Sequence, residues 1–151
     1  MKKVIAVLIM VLVVYGEFAL AGEKASDGRF IAYDNGTVLD TRTNLMWAAQ
    51  DNGAWINWMD AIRYINNYRG GGYTNWRLPT QNELMGLYDT AVKGKNGYHL
   101  TSFIELTGCC PVASQTDMGG AVCVNFTDGA WIFSHASQGE CNRVLPVRSG
   151  K

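Results

Sequence analysis

All four cysteines of this 151-residue chain lie in its last third, at Cys109, Cys110, Cys123 and Cys141. Whether they can be joined constrains the fold more than any other feature, and that depends on the compartment in which the chain folds. The first residues address this. Met1-Lys2-Lys3 is positively charged, Val4 to Tyr15 is an unbroken apolar run, and a short stretch then closes on Ala19-Leu20-Ala21. A charged start, an apolar stretch and an A-x-A ending make a secretory signal peptide over residues 1–21. The apolar run is too short to span a bilayer, which needs about 20 such residues. Gly22 and Glu23 follow Ala21, so no cysteine is placed to carry a lipid. The expectation is a chain exported to the periplasm or beyond the cell, with no stable membrane insertion once the signal is removed.

Export makes an even cysteine count a disulfide framework. Four cysteines permit three connectivities. Joining the adjacent Cys109 and Cys110 would strain the peptide between them, so each is expected to reach out to Cys123 or Cys141. The C-x₂-C pairs of a zinc site are absent.

Removing 21 residues leaves 130, enough for one domain with one core over 22–151. That part holds 11 Lys and Arg against 12 Asp and Glu, counted from the sequence. So balanced a charge gives no basic field for a phosphate backbone, and nucleic acid is not expected as a partner. Seventeen glycines, three prolines and many aromatic residues suit a loop-rich domain with an aromatic core.

Residues 22–28 are small and polar and are expected to fray. Arg29 to Tyr33 reads as a strand, Asp34-Asn35-Gly36 as a tight turn, and Thr37 to Asp40 as the return strand. Thr41 to Asn44 makes a second turn before a strand at Leu45-Met46-Trp47. Asn57 caps a helix over Trp58 to about Tyr68, with Trp58, Ala61, Ile62 and Ile65 on one apolar face. Gly70-Gly71-Gly72 stops it. Thr80 and Glu83 form a capping box for a second helix, whose apolar face is Leu84, Leu87, Tyr88 and Ala91. Leu100 to Gly120 is irregular. Ala121 to Phe126, a turn at Thr127-Asp128-Gly129, and Ala130 to Phe133 make a hairpin, and Arg143 to Arg148 a last strand. Strands, two helices, a long loop and further strands give an α+β domain with a mostly antiparallel sheet.

Several of these stretches together resemble one family. They are Asp34-Asn35-Gly36-Thr37-Val38, Leu45-Met46-Trp47, Asn75-Trp76-Arg77-Leu78-Pro79-Thr80 with Glu83-Leu84, Val124 to Gly129, and the closing Val144-Leu145-Pro146-Val147-Arg148. The chain is similar to the Lcl C-terminal domain family, found at the end of collagen-like bacterial adhesins and in small secreted bacterial proteins. The Arg-Leu-Pro-Thr-x-x-Glu pattern also looks like formylglycine-generating domains. The resemblance implies a C-type-lectin-like fold, two helices flanking twisted antiparallel sheets with a long irregular loop region. In adhesin members it implies binding of sulfated polysaccharides. This chain has no collagen-like repeat, so the avidity of a trimer is not expected. Cys109 to Thr116 also stands where many members carry an aromatic-Trp-Ser-Ser-Thr run.

Catalytic signals are weak. His99 and His135 stand in no metal-ligand spacing, and there is no G-x-S-x-G elbow or phosphate-binding glycine loop. The expectation is a protein that is not an enzyme and needs no cofactor. An oxidase of the formylglycine type, using Cys109 and Cys110, is the catalytic alternative. For binding, Asp117, Asn125, Asp128, Trp131 and Gln138 are the candidates, as carboxylate, amide and aromatic groups in the late loops. The plainer reading makes Asn125 and Asp128 turn-formers and Trp131 a core residue. Calcium at Asp128 and its neighbours is a further possibility for the same loop. Trp47, Trp58 and Trp76 should be core, and Arg77 with Glu83 should stabilise the strand-to-helix join. The expected ligand is a carbohydrate or another cell-surface molecule, with a protein partner in an envelope or pilus assembly as the alternative.

Overall fold

The computed structural model describes residues 21–114, 120–135, 141 and 143–150. The leader up to residue 20, Asp117 and Gln138 lie outside them. The described chain is α+β, with two helices and antiparallel sheets. Strands β1 (Glu23–Ser26), β2 (Phe30–Tyr33), β3 (Thr37–Asp40) and β4 (Leu45–Ala48) form a meander. The last strand, β7 (Val147–Ser149), returns to pair with β4, so the sheet runs β1-β2-β3-β4-β7. Strands β5 (Gly120–Val124) and β6 (Trp131–His135) make a separate hairpin.

The two early turns work because their residues accept positive φ, Gly36 at 77° and Asn44 at 55°. They set a register in which Val38 faces Trp47 and Trp47 faces Val147. All three are buried, so this register turns one apolar file of the sheet inward. Residues 22–28 do not fray as a block, since 23–26 are β1. The Asp27 carboxylate accepts the amides of Arg29 (3.1 Å) and Phe30 (2.7 Å), and this side-chain turn folds β1 back onto β2.

Helix α1 (Trp58–Asn67) begins as expected, the Asn57 side chain accepting the Asp60 amide at 2.9 Å. Ala61 and Ile65 are buried, but Ile62 is 37% exposed. The apolar face is therefore narrower than its spacing predicts, because the neighbouring element covers only one side of it. Helix α2 (Gln81–Leu87) carries the complete capping box: Glu83 N donates to Thr80 Oγ1 and Thr80 N to Glu83 Oε2. It stops at Leu87, short of Ala91. Tyr88 turns extended, and the next amide, of Asp89, donates to the His99 carbonyl (3.1 Å) instead of continuing the helix.

Two hydrophobic clusters result. The first, under the five-stranded sheet, joins Phe30, Val38 and Trp47 to Leu84, Leu87, Phe126 and Val147. The second lies against α1 and joins Ala61, Ile65 and Leu78 to Val112, Val144 and the cysteines. The expected disulfide pairing is overturned. Cys123 pairs with Cys141, and Cys109 pairs with its neighbour Cys110. Cys123 points from β5 into the second cluster, where the Cys141 Cα stands 5.4 Å from its own, an ordinary bridging separation. That leaves the adjacent pair with each other. The segment holding them joins the hairpin through its backbone, with Phe126 N donating to Cys109 O at 2.9 Å.

Candidate functional site

Three surfaces have the chemistry for a site. The first is the join before α2. Arg77 and Val147 exchange both backbone hydrogen bonds, at 2.8 and 3.0 Å, so the Trp-Arg-Leu-Pro stretch and the Leu-Pro-Val-Arg ending are one paired structure. The Arg77 guanidinium grips the Glu83 carboxylate with two bonds, at 2.8 and 2.6 Å. Those bonds, and the Thr80 amide, hold the Glu83 carboxyl below its ordinary range against the opposing effect of burial. The Arg77 guanidinium is pushed up by the same pair. Arg148 is buried, donates to Asn75 Oδ1 at 2.7 Å and lies 3.9 Å over the Tyr73 ring. The Arg77 and Glu83 charges are consumed by each other, and Arg148 is held by an amide oxygen and an aromatic face. Arg77 and Glu83 do stabilise the join, as their spacing predicts, and the site is structural.

The second surface is the β5–β6 hairpin, where the sequence candidates Asn125, Asp128 and Trp131 come together. Asn125 Oδ1 accepts the Thr127 amide (2.8 Å) and Asp128 Oδ1 accepts the Ala130 amide (2.9 Å). Both side chains therefore form the turn, as the plainer reading holds. The tip packs close: a Cβ on Gly129, whose φ is 77°, would fall 2.5 Å from the Tyr88 ring. Trp131 is not core. It is 58% exposed, and Phe133, on the same face of β6, is 40% exposed. Their cross-strand partners Val124 and Val122 are buried, so this face is core beneath β5 and solvent-facing at β6, the outer strand of the hairpin. His99 is half-buried, its Nδ1 2.8 Å from the Val92 carbonyl oxygen, and packs edge-on against Tyr88. His135 closes β6. Among the described residues no group of three or more His, Cys, Asp or Glu side chains could hold a metal ion.

The third surface is a cleft of about 580 Å³ at the β2–β3 turn, lined by none of the candidates among the described residues, Asn125, Asp128 and Trp131. Tyr33, Tyr68 and Phe103 supply aromatic rings to its wall, and Asn35, Gln50 and Glu105 supply amide and carboxylate groups. Its walls are pinned. The Thr37 hydroxyl donates to Asn35 Oδ1 at 2.7 Å, and Asn35 Nδ2 reaches the Gly71 carbonyl at 3.4 Å. Glu105 N donates to the Ala49 carbonyl at 2.9 Å, which ties the loop of the far wall to the end of β4. Lys95 pairs with Glu105 at 3.2 Å. Tyr68 packs at a tilt against Tyr64 and edge-on against Trp76, at centroid distances of 5.5 and 5.2 Å. Burial pushes the Tyr68 phenol up, so it remains a neutral donor and acceptor through the physiological range. Tyr64 behind it is pushed up to about 12 by burial, with smaller contributions from Tyr68 and Asp51.

This cleft gathers residues from β2, the end of β4, the turn after α1 and the loop at 95–105, so no local spacing announces it. One partial signal existed. The triple glycine that stops α1 also permits close approach, since a Cβ on Gly71 would fall 2.6 Å from the Thr37 methyl.

No curated protein and no solved structure gave a significant match to the chain. The family model of the Lcl C-terminal domain matches residues 36–148, from the Gly36 turn to the clamped Arg148. With most of its 151 residues under that match, the chain belongs to the Lcl C-terminal domain family.

Proposed function

We propose that this protein is an exported binding module that holds a carbohydrate at the cell surface or in the envelope, without catalysis, on a C-type-lectin-like scaffold. The observation that carries the reading is the composition of the 580 Å³ cleft: aromatic faces beside amides and carboxylates, on walls fixed by hydrogen bonds. A sugar presents apolar C–H faces between hydroxyl groups, and such a lining meets both. The signal-like leader and the surface association of the family's adhesin members support export. The placement of all four cysteines in disulfides supports binding over an oxidase mechanism that needs free thiols. Of the two lysines that line the cleft, Lys95 is held by Glu105, and Lys24 suits a sulfate or carboxylate group on the ligand.

A glycan array including sulfated polysaccharides, followed by calorimetric titration of the hits, tests this. The expected result is a saturable ligand whose affinity falls about tenfold in Gln50→Ala and in Phe103→Ala. Silence across the panel, or hits indifferent to both substitutions, overturns the reading. A second reading, docking to an envelope protein, draws on the exposed Trp131 and Phe133 of β6. Binding lost in Trp131→Ala and kept in Gln50→Ala would favour it.

A further inference from the structure

Gly22, the residue after the A-x-A ending, meets Asp34 twice. Asp34 N donates to Gly22 O at 3.0 Å, and Gly22 N donates to Asp34 Oδ1 at 3.0 Å. The first bond is an ordinary rung, one step beyond the Glu23–Tyr33 pair of β1 and β2. The second is not. The chain turns at Asp34, and its carboxylate accepts the bond that a backbone carbonyl would take in a regular ladder. The other carboxylate oxygen is close as well, since a Cβ on residue 22 would stand 3.1 Å from Asp34 Oδ2. Glycine is the residue that leaves this approach open.

An acidic side chain aimed at a neutral amide does a modest job. The same side chain aimed at an ammonium makes a charge-assisted pair. We propose that Asp34 is the receptor for a new N-terminus created by processing between Ala21 and Gly22. A signal peptidase of the export machinery adds water across that bond. The Ala21 carbonyl carbon takes the hydroxyl and leaves on the leader as a carboxylate, and the Gly22 nitrogen becomes an amine that protonates at neutral pH. The amide that donates to Asp34 before the cut is then an α-ammonium already in position, and it fastens β1 to the rim of the cleft. The inference rests on the export reading and is independent of the ligand.

The test expresses the full chain with its leader in an exporting bacterium and recovers the exported protein. Intact mass and N-terminal sequencing should find Gly22 first. NMR titration of the Gly22 methylene then compares the wild type with Asp34→Asn and Asp34→Glu. Glu23, Lys24 and Tyr33 on this edge, and Lys95 and Glu105 across the cleft, are the same in all three, so a difference belongs to residue 34. The α-amino pKa should lie roughly 0.5–1 unit higher in the wild type than in Asp34→Asn, with partial recovery in Asp34→Glu. An aminopeptidase should remove Gly22 several-fold faster from Asp34→Asn. A retained leader overturns the export reading and this inference with it. A product that begins at Gly22 but titrates alike in all three proteins, or one cut elsewhere, overturns this inference alone.

Discussion

The two hydrophobic clusters are built by different means. The first, beneath the five-stranded sheet, contains no cysteine and is assembled from turns, register and caps that short stretches specify one at a time. The second holds all four cysteines, three of them within the buried set and Cys109 packed against it. It joins residues from α1, the segment before α2, the hairpin and the chain's end, which meet through isolated bridges such as Val112 N to Arg143 O (2.9 Å) and Ala113 N to Val122 O (2.7 Å) instead of a continuous ladder. Local chemistry is enough to set the β1–β4 meander, whose strands follow one another in order, and β7 and Phe126 join it from the far end of the chain. A contact surface between distant segments needs either more buried area or a covalent tie.

Breaking the first cluster should cost most. Phe126 is fully buried there and reaches Tyr88 at 6.3 Å between ring centroids. Phe126→Ala should lower unfolding free energy by about 3–5 kcal/mol, read from the urea midpoint. If the loss were under about 1 kcal/mol, the first cluster would not be the main store of stability.

The bridges should divide the second cluster sharply. Cys123–Cys141 spans 18 positions and Cys109–Cys110 spans one. A cross-link stabilises chiefly by the chain entropy it removes from the unfolded state, and that grows with loop length. Replacing Cys123 and Cys141 by serine should cost about 3 kcal/mol, and replacing Cys109 and Cys110 about 1 kcal/mol. Disulfide mapping by mass spectrometry on the unreduced protein checks the pairing itself. Equal losses from the two double substitutions would mean that the adjacent bridge shapes the native fold directly.

The smallest effect belongs to the seam between the clusters, at Glu83. Its folded-state pKa is lowered, so its contribution is present above the unfolded carboxylate pKa near 4.3 and is lost as pH falls through the lower folded value. Asp40 behaves the same way: burial would raise its carboxyl, but hydrogen bonds from Arg29 and Thr43 and the charge of Arg29 outweigh that and lower it. Glu83→Gln should cost about 0.5–1 kcal/mol at pH 7 and flatten part of the stability loss below about pH 4, measured by thermal melts across pH. An unchanged acid limb would show that the Arg77–Glu83 pair adds positioning and no stability.

Much of the first cluster was legible because its signals are local. Asn35-Gly36 makes a turn wherever strands flank it, and Thr80 with Glu83 satisfies the first amides of a helix from within its own stretch. Strand β1 is not expected from the sequence because residues 22–28 are small and polar, and the turn that folds it onto β2 is built by the side chain of Asp27. The bounds of α2 were missed because Tyr88 answers to Phe126 and His99, distant in sequence. The plainer reading of Trp131 as core fails because alternation along β6 identifies two faces without saying whether both are covered. Asn125 and Asp128, put forward as binding candidates, form the turn that their plainer reading describes, and of the cleft around Tyr68 and Gln50 only the triple glycine at its edge is legible.

By itself the sequence determined the helix caps, the turns of the β2–β3–β4 meander and each of the stretches that carry the family resemblance, since each depends on residues within a few positions of one another. The tertiary structure alone decided which cysteines pair, which side of the hairpin faces solvent, and that β2, the end of β4 and the loop at 95–105 enclose a cleft. Those outcomes depend on which distant segments come within a few ångströms, and packing settles that only once the whole chain has closed.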